Sequence, residues 1–351
     1  MKKHLFIDLV AAGAMASLVF FGCAKADNKY CTAGMEKIAD ADYEGAIECF
    51  NGDISKNVNE RDAYRGLGIA YYKLNNIPLA MQEFKVVIDK SGSKYDDICL
   101  DAMKYYAECL TLNGDYEGAI KYYTTIIDAD KSKDKSVLYY LRGSAYIHLR
   151  DENNATLDFE KSLELKGDDY SMYCNMYNDF YEAGYVDRAQ SYLKRLIAND
   201  DVSDFLVGKT HYIFGEYETA EKYLEKAVDD KDKDALYYLA LTYEAEEKYV
   251  EAEKIYKDCI GKDKADPVIY NQYAVYLMNR DDYQAALTYI DKGLEKAEGR
   301  TRKTLEYNRI VCYEYYGKFD KAYEYAKQFI ADYPDDEKGM REYRFLATRI
   351  G

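Results

Sequence analysis

Tryptophan is absent from the 351 residues of this chain, and proline and histidine occur only three times each. Disordered and linker-rich chains are usually rich in proline, so this scarcity argues against that class. Basic residues are also in deficit, with 48 Lys and Arg against 64 Asp and Glu and a net charge of −16. A nucleic-acid-binding protein needs a basic face, so the charge balance argues against nucleic acid as a partner.

Tyrosine and charged side chains are abundant, with 41 Tyr and 32% charged residues. Together with so little proline, this composition favours a long helical protein with a wide polar surface. Known catalytic patterns are missing: the sequence has no phosphate-binding loop, dinucleotide fingerprint, nucleophile elbow or zinc-protease motif. His148 and His211 have no carboxylate or cysteine beside them at metal-ligand spacing. We therefore expect no catalytic residue, no metal ligand, no cofactor and no enzyme activity.

The N-terminus combines a basic start at Lys2 and Lys3 with an apolar stretch from Leu5 to Phe21. Gly22-Cys23 follows, and the segment resembles a bacterial lipoprotein signal peptide, in which the cysteine is lipidated and becomes the mature N-terminus. The resemblance implies a signal peptide over residues 1–22 and a lipid anchor on Cys23. Two alternatives stay open, namely ordinary secretion after cleavage at Ala26, within Ala24-Lys25-Ala26, and a buried N-terminal helix.

The rest of the chain repeats one phrase, in which a turn is followed by aromatic-x-x-Ala and usually a large apolar residue four positions later. Asp42-Tyr43-Glu44-Gly45-Ala46 with Phe50 and Asp115-Tyr116-Glu117-Gly118-Ala119 with Tyr123 are two copies. Counting the divergent copies, the repeated alanines are Ala46, Ala80, Ala119, Ala155, Ala189, Ala220, Ala252, Ala286 and Ala322. Their mean spacing is about 34 residues, which is the period of a helix-turn-helix repeat.

This pattern resembles the tetratricopeptide repeat. Twelve residues before the alanine, that family has a small residue; here Gly68, Gly143 and Ala240 fit, whereas Tyr177 and Ile310 depart and predict looser turns. The resemblance implies an all-α, right-handed superhelical solenoid of about nine helix-turn-helix repeats over residues 27–336. A capping helix is predicted over residues 337–351, where Met340, Tyr343, Leu346 and Ile350 recur at helical spacing.

Prolines and cysteines are consistent with this interpretation. Pro78 and Pro267 are expected in the first turns of helices, and Pro334 after the last repeat. The cysteines have no paired spacing typical of a disulfide framework. Three of them are expected to pack as small apolar residues: Cys109, Cys259 and Cys312. Whether Cys31 and Cys49 form a disulfide stays open, because they occupy the two helices of the first repeat.

In the tetratricopeptide family, the first helices line a concave groove with repeat positions 2, 5, 9, 12 and 13. The second and third repeats place charged residues there: Asp62, Arg65, Lys73, Asp101, Lys104 and Glu108. The fourth to seventh repeats place mostly apolar and aromatic residues there, which form the candidate binding site: Tyr140, Ile147, Tyr181, Phe205, Tyr212, Ile213 and Tyr237. The alternative is that these side chains only pack on neighbouring repeats. A clamp for a C-terminal carboxylate is not predicted, because Ile69 follows Arg65 where that clamp has Asn.

The function is therefore expected to be binding through the surface of the repeats rather than catalysis. The leading hypothesis is a membrane-tethered, extracytoplasmic adaptor or scaffold of a bacterial cell envelope, which binds protein or peptide segments in its groove. The alternative is a surface lipoprotein that binds a glycan or solute with groove tyrosines. A run of exposed aromatic residues on one face, outside the groove, would favour the glycan.

Overall fold

The computed structural model describes residues 29–57, 59–93, 95–230, 232–261 and 265–350. The expected signal segment 1–22, the lipidation residue Cys23 and the cleavage position Ala26 lie outside these residues. The described part consists of helices, turns and loops, without a β-strand. It divides into two compact units, an N-terminal unit that ends at Asn199 and a C-terminal unit that begins at Asp200.

The N-terminal unit is a stack of five antiparallel helix pairs. Consecutive helices pack on each other, and the first helices of neighbouring pairs also touch, as α3 does with α5 and α7 with α9. The helices are α1 Lys29–Ala39, α2 Tyr43–Ser55, α3 Glu60–Lys73, α4 Ile77–Ser91, α5 Asp97–Leu112, α6 Tyr116–Ala129, α7 Ser136–His148, α8 Glu152–Leu165, α9 Tyr170–Glu182 and α10 Val186–Leu196.

The C-terminal unit contains four further pairs and one final helix. The helices are α11 Asp204–Ile213, α12 Tyr217–Asp229, α13 Lys233–Ala245, α14 Tyr249–Ile260, α15 Pro267–Asn279, α16 Tyr283–Leu294, α17 Gly299–Tyr315, α18 Phe319–Asp332 and α19 Glu337–Ala347. The prediction of an all-α solenoid with about nine helix-turn-helix repeats and a capping helix is confirmed. None of the helices in the described ranges is long and apolar enough to span a bilayer.

An aspartate in the turn, four positions before the repeated alanine, starts the second helix of several pairs. The Asp42 carboxylate accepts the backbone N–H of Gly45 at 3.0 Å, which satisfies one of the free donors in the first turn of α2. The same bond recurs at the starts of α6, α8 and α16, from Asp115, Asp151 and Asp282. Pro78 and Pro267 lie in the first turns of α4 and α15, and Pro334 follows the end of α18.

Small residues hold the two helices of a pair together. All nine repeated alanines are fully buried. A Cβ added to Gly68 would lie 2.7 Å from the ring of Phe84, the large residue four positions after Ala80. Gly143 has the same relationship to Phe159, and Gly208 to Leu224. The large residue of the second helix therefore fills the space that the missing side chain of the first helix leaves open. Tyr177 and Ile310, at the same repeat position, are nevertheless buried.

The final helix covers the end of the C-terminal unit. Leu346 is fully buried in a cluster with Ile310, Phe329 and Ala326. The ring of Tyr343 stacks on Tyr323, and their hydroxyls are 3.0 Å apart. This contact closes the apolar face that the last repeat would otherwise expose.

Candidate functional site

The charged part of the predicted groove is largely paired within the N-terminal unit. Arg65 of α3 forms an ion pair with Asp101 of α5, one repeat further on. The Tyr72 hydroxyl donates to Glu108 at 3.2 Å, and the Lys104 ammonium lies 4.0 Å from the same carboxylate. The bonds of Arg65 and Tyr72 link α3 to α5, whereas Lys104 and Glu108 lie in the same helix, so part of this charge serves the stacking of repeats.

Two of the predicted binding residues in the N-terminal unit take part in packing. Ile147 lies in the core, with 4% of its surface exposed. Tyr140 is half-buried, and its ring stacks on the core residue Phe159 at 5.7 Å between centroids. Tyr140 therefore presents only part of its side chain to the groove.

Tyr181 has a different environment. It lies near the end of α9 with 53% of its surface exposed, and its ring stacks on Tyr177 at 5.4 Å. The following residue, Glu182, is also exposed. An exposed aromatic ring supported on one face by a second, buried ring is a rigid apolar contact surface, which is the kind of group that dominates binding at protein interfaces.

A buried carboxyl group lies between α7 and α9, next to Tyr140. Asp179 hydrogen-bonds the hydroxyls of Ser144 and Tyr140. Its Oδ2 atom is inaccessible to solvent and has no hydrogen-bond partner. Burial raises the pKa of Asp179 to about 7; the two hydroxyls act in the opposite direction, and the negative charge of Glu182 raises the pKa further.

Sequence reasoning missed Asp179, although a signal was present. Asp179 continues the apolar stripe of Met172 and Met176 at helical spacing, and both methionines are buried. An acidic residue on the buried stripe of a helix is unusual enough to mark a candidate site, because an unpaired buried charge is strongly unfavourable.

The predicted binding residues of the C-terminal unit pack around Tyr238. Phe205 and Tyr212 both make edge contacts with the Tyr238 ring, at 5.7 and 5.8 Å, and Tyr237 packs edge-on at 5.2 Å. The Lys209 ammonium lies 5.1 Å from the centre of the same ring. Ile213 is half-buried. The contacts of Phe205, Lys209 and Tyr212 stabilise α11 against α13, whereas Tyr237 and Tyr238 belong to the same helix. Part of each predicted side chain is left accessible.

The described cysteine side chains are free thiols packed among the helices, and His211 contacts a carboxylate. Cys31 and Cys49 are free thiols, and burial, with a contribution from Asp53, raises the pKa of Cys31 to about 12. Cys109 and Cys312 are buried as expected, whereas Cys259 is half-buried. His211 Nδ1 lies 2.6 Å from Glu216. Within the described ranges, no group of three or more His, Cys, Asp or Glu residues could hold a metal ion.

Comparison with known proteins identifies the repeat. The family model "Tetratricopeptide repeat" matches residues 137–169, which cover α7 and α8. Residues 137–169 are therefore similar to a tetratricopeptide repeat. Residues 214–337 of the chain match the family model "Coatomer epsilon subunit".

A TPR repeat-containing protein of Methanocaldococcus jannaschii is 27% identical to the chain over 153 residues. The match covers 42% of this chain and 26% of that relative, so the chain spans about a quarter of the relative's length.

Two solved structures are similar at low identity. A tetratricopeptide repeat protein from Parabacteroides merdae is 15% identical, with a TM-score of 0.45; the match covers 79% of this chain and 97% of that one. The pilF protein of Pseudomonas aeruginosa is 19% identical, with a TM-score of 0.44, over 56% of this chain and 88% of that one.

Proposed function

We propose that this protein is an adaptor that binds a protein segment in the groove formed by α7 and α9 of its N-terminal unit. The observation that carries the proposal is the exposed ring of Tyr181, held in place by Tyr177. Such a ring loses little conformational entropy on binding, because its orientation is already fixed by the stack. Tyr140 lines the same groove from α7 and contributes the accessible part of its ring.

Stacked helix pairs suit this role, since a solenoid offers extended surfaces for a partner. The charged groove residues around Arg65 and Glu108 already bond to each other, which makes them weaker candidates for the main contact. The C-terminal unit contributes only secondary contacts to the proposed binding, namely Phe205, Tyr212, Ile213 and Tyr237. Three of these side chains pack on Tyr238.

The proposal includes a location outside the cytoplasm, on a bacterial membrane. Its support is the sequence alone: a basic start, an apolar stretch and Gly22-Cys23. A lipid on Cys23 would tether the protein to the membrane and leave the helical units free to collect partners. Secretion after cleavage at Ala26 is the alternative form of the same proposal.

The test uses phage that display random short peptides, selected on the immobilised full chain. Selected clones are then measured on two variants, Tyr181→Ala and Tyr95→Ala. Tyr95 is a matched control, because 47% of its surface is exposed in the same unit and it precedes α5 rather than lining the groove. We expect Tyr181→Ala to weaken binding by about 2 kcal/mol and Tyr95→Ala to have little effect.

Equal binding by both variants would contradict the proposal. A glycan array probed with the same proteins addresses the alternative. Glycan binding that Tyr181→Ala abolishes, in the absence of any peptide binding, would replace the adaptor by a glycan-binding surface protein.

A further inference from the structure

We propose that the final helix α19 docks on the last repeat in a pH-dependent way. A hydrogen bond between the carboxyl groups of Glu314 in α17 and Glu342 in α19 holds the helix in place, and loss of the shared proton releases it as the pH rises. This device lies in the C-terminal unit and is separate from the proposed groove of α7 and α9.

The first observation is the contact between two acidic side chains. Glu314 and Glu342 are both half-buried, and their carboxyl groups are joined by a hydrogen bond. Two ionised carboxylates cannot form such a bond, because neither has a hydrogen to donate. Glu342 Oε1 is inaccessible to solvent and has no hydrogen-bond partner, so water does not offset the charge at that atom. The docked helix therefore needs a proton on one of the two groups.

The charges around the pair do not replace that proton. Burial, the hydrogen bond and the negative charge of Glu342 raise the pKa of Glu314 to about 8. Within the described residues, Arg349 is the cation that acts in the opposite direction, but it is exposed and its guanidinium lies 5.0 Å from the centre of the Phe345 ring. Burial raises the pKa of Tyr307 to about 12, with a further rise from both carboxylates, so its hydroxyl stays neutral.

The second observation is that few apolar contacts hold α19. Of its 11 residues, Gly339 and Leu346 are buried. Leu346 packs in a cluster with Phe329, and a Cβ added to Gly339 would lie 2.4 Å from the same ring. The Tyr343 ring stacks on Tyr323 at 5.1 Å between centroids. Repulsion between two carboxylates is therefore large relative to what holds this helix, whereas the longer helices of the unit are buried on more sides.

One ion pair also joins α19 to α17. The Lys303 ammonium lies 2.7 Å from the Asp336 carboxylate, and both side chains are partly exposed, so the pair contributes little. Burial acts to raise the pKa of Asp336, but bonds from the Gly339 N–H and from Lys303 outweigh it and lower the pKa. The pair therefore stays charged over the interval in which Glu314 titrates, and it does not contribute to the pH dependence.

The direction of the effect follows from the shared proton. Glu314 has a pKa of about 8 while α19 is docked and returns towards its ordinary value of 4.5 when the helix is released into water. The docked form thus keeps a proton that the open form has lost. Its advantage is complete below the lower value and disappears as the pH rises to the higher one. The opening constant of α19 should rise by up to about tenfold per pH unit in this interval and then level off.

Release of α19 would change the surface of the unit. Ile310 and Phe329 are buried together with Leu346 and would lose this cover. An apolar end face would then be accessible near pH 8 and covered near pH 5, so that the pH decides whether the last repeat is open to further contacts.

Hydrogen–deuterium exchange of the full chain, read by mass spectrometry, measures the opening of α19. Protection factors of its amides are taken at several pH values and corrected for the pH dependence of intrinsic exchange. Three variants are compared with the wild type: Glu314→Gln, Glu342→Gln and Glu324→Gln. Glutamine at position 314 can still donate to Glu342 but has no proton to lose. Glu324, exposed on α18, is the matched control.

The protection of α19 in the wild type should fall by about tenfold or more between about pH 6 and about pH 8. The control Glu324→Gln should show the same fall. In Glu314→Gln the protection should change by about threefold or less, because the titrating group is gone. Glu342→Gln should behave alike, since its amide donates to an ionised Glu314.

Two results would overturn the inference. Parallel pH profiles for the wild type, Glu314→Gln and Glu342→Gln would show that another group controls the helix. Constant protection of α19 in the wild type over this range would show that the docked helix holds no extra proton. Should Glu314→Gln lose its protection already at about pH 6, Glu342→Gln decides the question by the same criterion.

Discussion

Gly68 of α3 lies directly against the ring of Phe84 in α4, so that a Cβ at Gly68 would approach the ring to 2.7 Å. Phe84 is fully buried and cannot move into solvent. We therefore expect Gly68→Ala to destabilise the protein by about 1–3 kcal/mol, despite the higher helix propensity of alanine. Thermal unfolding followed by circular dichroism measures the effect.

The control is Gly52→Ala in α2, where an added Cβ meets no atom within 4 Å. That substitution should stabilise the helix by about 0.5–1 kcal/mol, since only propensity changes. If both variants melt at the same temperature, the assigned contact between the small residue and the large residue is wrong.

A second variant tests the crossing point of the same helix pair. Ala80 is fully buried where α3 and α4 meet, and Ala80→Leu should destabilise the protein by about 1–3 kcal/mol through overpacking. Gln82→Leu, two positions further along α4, is the comparison because Gln82 is exposed. An unchanged melting temperature for Ala80→Leu would disprove the register of the repeats.

The buried carboxyl groups predict a dependence of stability on pH. Burial raises the pKa of Asp179 to about 7, so the folded protein retains a proton that the unfolded chain has already released. Stability is therefore full at about pH 4 and falls as the pH rises towards 7. Glu244 and Glu314, with pKa values raised by burial to about 7 and about 8, act in the same direction.

The variant Asp179→Asn separates the contribution of Asp179 to the pH dependence of stability from those of Glu244 and Glu314. Its melting temperature should fall less than that of the wild type between about pH 5 and about pH 8, because the variant no longer binds that proton. Identical pH profiles for the two proteins would show that Asp179 is ionised in the folded protein throughout this range.

The final helix should be needed for the last repeat. Leu346→Ala removes a buried side chain and should destabilise the protein by about 2–5 kcal/mol. Phe345→Ala, at an exposed position on the same helix, should change stability little. Hydrogen exchange of α18 measures the local effect, and equal protection in both variants would refute the capping role.

The anchor is tested in cells. Cys23→Ala should abolish incorporation of labelled fatty acid and leave the precursor uncleaved, because the thiol is the proposed attachment point. Labelled lipid on the variant would disprove attachment at Cys23. A wild-type protein without lipid that begins at Asp27 would establish the secreted form.

Sequence reasoning predicted the repeats because their signal is steric and local. A small residue is required wherever two helices cross closely, and all nine predicted alanines are fully buried. The exposure of groove residues does not follow from their position in the repeat, as Ile147 and Tyr181 show. They occupy the same position in successive repeats, yet one is 4% and the other 53% exposed. The periodic pattern, which is the same for both residues, does not specify this difference in exposure.

Asp179 escaped for a related reason. Its importance comes from contacts with Ser144 and Tyr140, which lie in another repeat. The helical stripe in the sequence shows that an acidic residue occupies an apolar position. Only the packed structure shows that its neighbours are two hydroxyls and no positive charge.

The most direct measurement places a photo-crosslinking amino acid at position 181 in the native host. Benzoylphenylalanine there keeps an aromatic ring at the groove surface, and the same residue at position 95 is the control. A groove that binds a partner predicts a discrete adduct from position 181 that is absent from position 95. The same adducts from both positions, or none from position 181, would contradict binding in this groove.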